Sequence, residues 1–391
     1  MKTGKIHPLF TGYAAASVLL FLYSFTQVDL SLTLTRVSVW QKIQHMFQYI
    51  GFYQRPVSAG IYIAILVLFF FLYLRTVHAA KSGQISSTQI WHIIALVVLV
   101  LVFSYPAFSY DMFNYMFTAK TVLIYHKNPY AVTPLAFSGV DPWLSFLHWT
   151  HLPSAYTPVW ILLTLPVYLL GFGYFLMTLW NFKLLVAGFY LLSVLLIARI
   201  MRRVDPEKEG VSIAMFGLNP LVIIESLVSA HNDIAMMAFA LLALFLMPKK
   251  KLAGWFALSL SVALKFMTVT LVPVFFLYRK KKFNIIRYSL GAMSFGLLLV
   301  LRQRDVLPWY LVWLLPFVAL LPHNEWLYTL SVGASLGLLL SYAPFLYFGN
   351  WNNPVPRMEL WGMIVPITIA VLLVLSQQFR RSGRPGTPVS P

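Results

Sequence analysis

The chain contains no cysteine, and only 11 of its 391 residues are Asp or Glu. Without thiols there is no disulfide framework, no thiolate nucleophile and no Cys-ligated metal. HEXXH, a P-loop, GxSxG and a GxGxxG dinucleotide turn are also missing, so those devices do not supply a nucleotide donor. Charged residues make up 10% of the chain and hydrophobic ones 60%. An ordinary soluble domain carries about a quarter charged residues and under half apolar ones. The balance excludes a water-soluble enzyme and a disordered chain. The net charge of +18 does not indicate a nucleic-acid partner, because the basic residues punctuate apolar runs instead of forming a patch.

What is present is a series of runs near the roughly 20 apolar residues that cross a bilayer. They lie near 9–27, 58–76, 90–108, 175–199, 211–227, 232–248, 284–301, 309–321, 327–347 and 361–378. Two shorter stretches, 252–264 and 266–278, meet at Lys265 and read as a tight helical pair. The expected fold is an all-α polytopic membrane protein with about 12 transmembrane helices, and with amphipathic helices in a long exoplasmic loop, 109–156. Sorting Lys and Arg by side places 19 on one face and 8 on the other. The positive-inside rule makes the richer face cytoplasmic, with both termini. Residues 157–171 are apolar enough for a short crossing, but counting them would put Arg199, Arg202 and Arg203 outside. They read instead as a helix in the outer interface, limited by Pro158 and Pro166. The charged start before the first run resembles a signal peptide but lacks a small-residue cleavage site, and reads as a helix. Residues 381–391 read as a disordered cytoplasmic tail.

The scarce acids then become a search set. Asp205, Glu207, Glu209 and Glu325 fall on the cytoplasmic face and read as solvated. Asp29, Asp111, Asp141, Asp233, Asp305 and Glu359 fall outside, with Glu225 near the outer end of a helix. An ionisable group beside hydrocarbon is costly and marks a cavity or an ion pair.

Asp111 directly follows the run 90–108. At helical spacing Asp111, Asn114, Tyr115 and Thr118 form a polar stripe opposite Met112, Phe113, Met116 and Phe117. That pattern predicts an amphipathic helix at the membrane surface. The plainer reading is that Asp111 caps the helix. A second cluster, Ser229, His231, Asn232 and Asp233, joins two crossings at the outer surface; a simple capped hairpin is its alternative. A third is RQRDVLPWY, where Arg302 and Arg304 precede Trp309 and Tyr310. These residues either anchor a helix to headgroups or pair with a lipid phosphate. Lys265 either snorkels or meets an anion. His148 and His151 have the spacing of a metal pair but no third ligand in order, so a phosphate or sugar contact serves equally well.

In chain order, YDMFNYMFTAKTVLIYHKNPYAV, SAYTPVW, LNPLVIIESLVSAHND, ALKFMTVTLVPVFF and RQRDVLPWYLVWLLP resemble the integral-membrane glycosyltransferases of the GT-C class. The closest pattern is that of the polyprenyl-phosphate-mannose-dependent mannosyltransferases. The resemblance implies a GT-C-like core over 90–320, an N-terminal two-helix addition at 1–89 and C-terminal transmembrane helices at 321–380. It implies that Asp111 is the general base. The residues expected to hold donor or acceptor are Asn114, Tyr115, Asn128, Tyr130, His148, His151, Tyr156, His231, Asn232, Asp233, Lys265, Arg302, Arg304, Trp309 and Tyr310. The implied partners are a polyprenyl-phosphate sugar donor, a glycolipid or glycan acceptor and the lipid bilayer.

No cofactor is implied. The family loop often carries two nearby acids, but here Tyr110 or Asn114 stands beside Asp111, which argues against a divalent metal held by paired carboxylates. Asp29, after the first crossing, is the rival base; it lacks the NPY and YTP elements downstream. Trp160 and Trp180 join Trp309 and Tyr310 as candidate linings of a lipid entrance. A transporter or flippase of lipid-linked sugars is the alternative function, though the sequence shows no internal repeat and its acids sit at the outer edge. A ligase of lipid-linked glycans would place its long outer loop late in the chain, and here the longest loop is early. A non-catalytic subunit of a glycan assembly complex is the last reading.

Overall fold

The computed structural model describes residues 8–278 and 284–382, with α-helices joined by 3₁₀ and π turns and no strand among the described residues. The helices are α1 Pro8–Ser24, α2 Ser38–Gln48, α3 Arg55–Lys81, α4 Ser87–Leu101, α5 Asp111–Leu123, α6 Pro158–Leu169 and α7 Phe175–Val204. They continue as α8 Glu209–Gly217, α9 Pro220–Ile223, α10 Asp233–Leu246, α11 Lys251–Leu264, α12 Leu271–Leu277 and α13 Ile285–Leu301. The last four are α14 Leu315–Ala319, α15 Glu325–Leu340, α16 Tyr342–Phe348 and α17 Val355–Ser382. Helix starts follow local chemistry. Ser86 and Gln89 form a reciprocal capping box on α4, and Asn284 and Asn324 accept from the first backbone N–H groups of α13 and α15.

Among the described residues, five helical stretches are long and apolar enough to cross a membrane: Pro8–Gln27, Arg55–Lys81, Phe175–Val204, Glu325–Phe348 and Val355–Gln378. A sixth forms if Pro206–Gly217 and Pro220–Val228, bent by 57°, make one span. The expected count was twelve, and the remaining apolar helices are shorter, at 10–17 residues. The run 309–321 is not one helix. It is a buried 3₁₀ turn, Pro308–Trp313, followed by Leu315–Ala319, because Pro316 removes a backbone donor inside the run. Residues 157–171 form α6, only 12 residues long, with Pro158 in its first turn and Pro166 inside. The pair around Lys265 is present as α11 and α12 with a 3₁₀ turn between them.

The first two long helices are part of the common core. α1 packs on α4 and α3 on α8 and α16; the Tyr62 hydroxyl donates to the Leu339 carbonyl at 2.7 Å and Tyr73 to that of Met215 at 3.0 Å. Helix α2 is polar inward and apolar outward. Gln44 and Gln48 donate to the carbonyls of Leu32 and Asp29, while Val39, Trp40 and Met46 are exposed.

Salt bridges gather the acids read as cytoplasmic. Lys81 meets Glu325 at 2.7 Å, His323 meets Asp205 at 2.5 Å, and Arg202 meets Glu209 at 2.7 Å. These three acids are paired, not merely solvated, because α3, α7, α8 and α15 end together. Lys81 lies at the end of a 27-residue helix, roughly 40 Å from its start at Arg55. In the tail, α17 continues through Ser382, so residues 381 and 382 are helical. The basic residues Lys2, Lys5, Arg279, Lys280, Lys281, Lys282 and Arg384, and the rest of the tail, lie outside the described residues.

Candidate active site

Helix α5 positions the first functional group. The polar stripe predicts a surface helix, but Met112 through Ala119 are all buried, and Thr121 with them. The loop that follows folds back over α5. Lys120 pairs with Asp141 at 2.7 Å and lies 4.1 Å from the Trp143 ring centre, and Tyr125 donates to Asp141 at 2.8 Å. Asp141 also accepts from the Trp143 backbone and so caps the turn that holds that ring. Helices α6 and α7 cover the remaining face.

Asp111 is the first residue of α5, yet its side chain does not cap the helix. Its Oδ1 accepts from the Tyr156 hydroxyl at 3.1 Å, and Oδ2 lies 3.2 Å from Nδ1 of His231. The opposite nitrogen of His231, Nε2, lies 3.4 Å from Oε2 of Glu225; both contacts are at ion-pair distance without hydrogen-bond alignment. The other oxygen of Glu225 accepts from Tyr342 at 3.0 Å. The Trp309 ring stacks on His231 with centres 4.0 Å apart. A carboxylate, an imidazole and a second carboxylate are thus brought into line. The last two are buried, and Asp111 keeps 23% of its side chain exposed.

The electrostatics follow from that arrangement. Burial pushes the Asp111 carboxyl up, but His231, Lys265 and the Tyr156 hydroxyl outweigh it and hold the group below its ordinary value. Burial pushes His231 down, and Asp111, Glu225 and Asp233 outweigh that and raise it. Burial and the adjacent Asp111 charge raise the Tyr156 phenol, which stays a donor.

The turn before α10 places His231. Glu225 sits in a π turn, Ile224–Val228, and Ala230 adopts a left-handed φ of 57°, which costs a residue with a Cβ about 1–2 kcal/mol. The Tyr115 hydroxyl accepts from the Asn232 backbone at 3.3 Å, tying this turn to α5. Asp233 does not act as a cap: it accepts from Lys265 at 2.7 and 2.8 Å and from the Trp313 indole at 2.5 Å. The Thr157 hydroxyl donates to the Leu264 carbonyl at 3.0 Å and so brings Lys265 beside the loop.

Asp111, Tyr156 and Lys265 open onto a cavity of about 560 Å³, within the usual range of small-molecule sites, whereas Tyr115, His231 and Asp233 are buried behind its wall. Asp111, Asn114, Tyr156, Asn232, Lys265, Arg304, Trp309 and Tyr310 are on its wall. Asn128 and Tyr130 are not. Asn128 closes a local turn on the Tyr130 N–H, and the Tyr130 hydroxyl donates to the Tyr156 carbonyl at 2.6 Å. Nor are His148, His151 and Arg302. His148 stacks on Tyr110 with ring centres 3.5 Å apart, burial lowers its pKa, and His151 and Arg302 are exposed. Among the described residues no three His, Asp or Glu side chains gather as a metal site. Asp29 is occupied by its own turn, accepting from the backbone and hydroxyl of Ser31. Trp160 is buried against Tyr115 and lines no entrance, and Trp180 is exposed beside Phe103. The residues absent from the sequence-based set are Glu225, Tyr342 and Trp313. Glu225 carried a signal as an acid in an apolar run and Trp313 as part of the aromatic cluster after Arg304; Tyr342 carried none.

A family model described as alpha-(1->6)-mannopyranosyltransferase, N-terminal domain, matches residues 11–280. No curated protein and no solved structure matches the chain. The matched span covers well over half of the sequence, starts within α1 and includes Asp111, Tyr156, Glu225, His231, Asp233 and Lys265. The chain belongs to the MptA_B family of α-(1→6)-mannopyranosyltransferases.

Proposed function

We propose that the protein transfers mannose from a polyprenyl-phosphate donor to a hydroxyl of a glycolipid or glycan acceptor on the exoplasmic face, with Asp111 as general base. The observation that carries this reading is a single ionised carboxylate on the wall of a cavity that also holds Lys265 and Arg304. A sugar hydroxyl has a pKa far above neutrality and must lose its proton as it attacks the anomeric carbon; a carboxylate in hydrogen-bond reach accepts it. The leaving group is already a phosphate and needs charge stabilisation, not an acid. Arg304 and Lys265 supply that, the latter held in place by Asp233. One base and one displacement invert the anomeric carbon. With the α-(1→6) linkage of the family name, inversion requires a β-linked donor and a primary hydroxyl on the acceptor. Both substrates are amphiphiles or bound to a membrane surface, which fits a cavity among apolar helices.

The test is Asp111→Asn in purified protein, given radiolabelled polyprenyl-phosphate mannose and membrane glycolipid acceptors. Transfer should fall by at least about 100-fold, the low end of what a positioned acid–base group contributes. Undiminished transfer overturns the assignment. Movement of the sugar lipid across vesicles with no new glycosidic bond would replace it with transport.

A further inference from the structure

Behind Asp111 the protein holds a second carboxylate that the base reading alone does not require. Glu225 is fully buried, its Oε2 has no hydrogen bond, and that oxygen lies 3.4 Å from His231. A buried carboxyl oxygen without a hydrogen bond is expensive, and it persists where the surroundings enforce it. Here a π turn and the Tyr342 hydroxyl hold Glu225 in place.

Resting on the reading of Asp111 as base, we infer that His231 and Glu225 are a compensating proton pair behind it. As Asp111 takes the acceptor's proton, the imidazole closes its 3.4 Å gap to Glu225 into an aligned hydrogen bond and passes its Nε2 proton across it. In the resting state an imidazolium bridges two carboxylates, and the three groups carry one net negative charge. During transfer the acceptor O–H breaks as its oxygen bonds to the anomeric carbon. The bond from that carbon to the donor phosphate breaks, with its electron pair left on phosphate. The released proton goes to the Asp111 carboxylate. The His231 Nε2 proton moves to Oε2 of Glu225, so the three groups end neutral, with one proton gained.

This resolves a conflict in the site. The environment that keeps Asp111 ionised makes it a weak base, and an imidazolium facing a protonated Asp111 would drive the proton back off. Discharging His231 onto Glu225 removes that opposition at the moment it matters. The groups facing His231 are consistent with such a role. Asp111 comes from α5, Glu225 from the π turn and the Trp309 ring from the 3₁₀ turn. Asp233 contributes from α10, with Lys265 and Trp313 bonded to it. Tyr156 and Tyr342 hold the outer oxygens of the two carboxylates, and Arg304 borders the cavity beyond them. Glu225 and His231 touch no substrate and act through Asp111.

Infrared spectroscopy of full-length protein with isotope-labelled glutamate tests the pair without any substrate. In Asp111→Asn, which mimics the neutral acid, a buried glutamic-acid carbonyl band should appear at mildly alkaline pH where wild type has none. It should vanish in Asp111→Asn/Glu225→Gln. Tyr342→Phe in the Asp111→Asn background should shift it, which keeps the assignment readable if Glu225→Gln does not fold. In turnover, Glu225→Gln should lower kcat by about 100-fold with KM unchanged. It should also convert a two-proton solvent isotope dependence into a one-proton one. An inactive Asp111→Asn protein without the band overturns the proton pair alone, as does a Glu225→Gln protein with wild-type kcat and isotope dependence. An Asp111→Asn protein that still transfers mannose overturns the base.

Discussion

The hydroxyl of Tyr130 donates to the backbone carbonyl of Tyr156 at 2.6 Å. The Tyr156 hydroxyl in turn donates to Asp111 at 3.1 Å, and the Ser154 N–H donates to the Pro129 carbonyl at 2.9 Å. The NPY and SAYTP segments are therefore two halves of one clamp that fixes the carboxylate; the second half reaches the cavity with Ser154 to Thr157, the first with Pro129 alone.

Two tyrosine variants separate those halves. Tyr130→Phe removes one hydrogen bond, about 1 kcal/mol, from the loop and should lower kcat by roughly fivefold without moving the pH profile. Tyr156→Phe removes a donor to the ionised carboxylate and so raises the Asp111 pKa. The sign follows from its depressed folded value. The carboxylate and any stability it confers are complete above the unfolded pKa and fade as pH falls through the folded one. The acid limb of the rate profile should therefore move to higher pH in Tyr156→Phe and stay put in Tyr130→Phe. His231 has the opposite sign. Its raised pKa means that the imidazolium's contribution is complete below the unfolded value and is lost as pH rises through the folded one. The measurement is kcat against pH for the three proteins.

Much of this site was legible because charges are rare in an apolar chain. Asp111, His231, Asp233 and Lys265 stand at the ends of apolar runs, where an ion pair or cavity is the economical explanation; Asp111 and Lys265 line the cavity, and His231 and Asp233 pair with them from behind. What periodicity gave for α5 was incomplete: Asp111, Asn114 and Thr118 of the polar stripe face the cavity, while the loop pinned by Lys120 and Asp141 packs Phe137 and Phe146 on the apolar face and buries the helix. Short-range spacing misled at His148 and His151, which the intervening turn keeps off the cavity wall. Glu225 and Tyr342 are 117 residues apart, and nothing local marks Tyr342 as a partner. The bend at Asn219 and the π turn that aims Glu225 likewise depend on packing.

Arg302 and Arg304 are alike in sequence and unlike in place. Arg304 borders the cavity and Arg302 does not. If the donor's phosphate lies against Arg304, Arg304→Ala should raise the donor KM by about tenfold or more, since each tenfold is about 1.4 kcal/mol of binding. Arg302→Ala should leave it unchanged. Initial rates over a donor series decide between this outcome and an equal, small effect of both, which would mean that the arginines only anchor the helix to headgroups.

The orientation is open to a direct chemical test, because the chain has no native thiol to interfere. Ser138 is exposed in the loop after α5, at the same end of the bundle as the cavity. With the positive-inside arrangement, Ser138→Cys should react with a membrane-impermeant maleimide added outside intact cells. Labelling only from the cytoplasmic side would invert the topology and place the cavity inside.

Lys183 is buried within α7, and its Nζ donates to the Ser104 carbonyl at 2.7 Å, the Ser104 hydroxyl at 2.8 Å and the Val228 carbonyl at 3.2 Å. Nζ makes three hydrogen bonds, and no carboxylate is among its partners. One side chain thus ties the end of α4, just before the segment leading to Asp111, to the last residue of the π turn carrying Glu225. Lys183→Met keeps the apolar stem but removes the three bonds and leaves Val228 without this donor. At about 1 kcal/mol each, the loss is roughly 3 kcal/mol. The variant should show a lower Tm in detergent and, at temperatures where it remains folded, a lower kcat, because the two segments that set the Asp111–His231 distance are no longer joined. A normal Tm with lost transfer would mean that Lys183 serves alignment alone. A lower Tm with wild-type kcat would mean that the remaining packing of α4, α5 and the π turn is enough to hold the site.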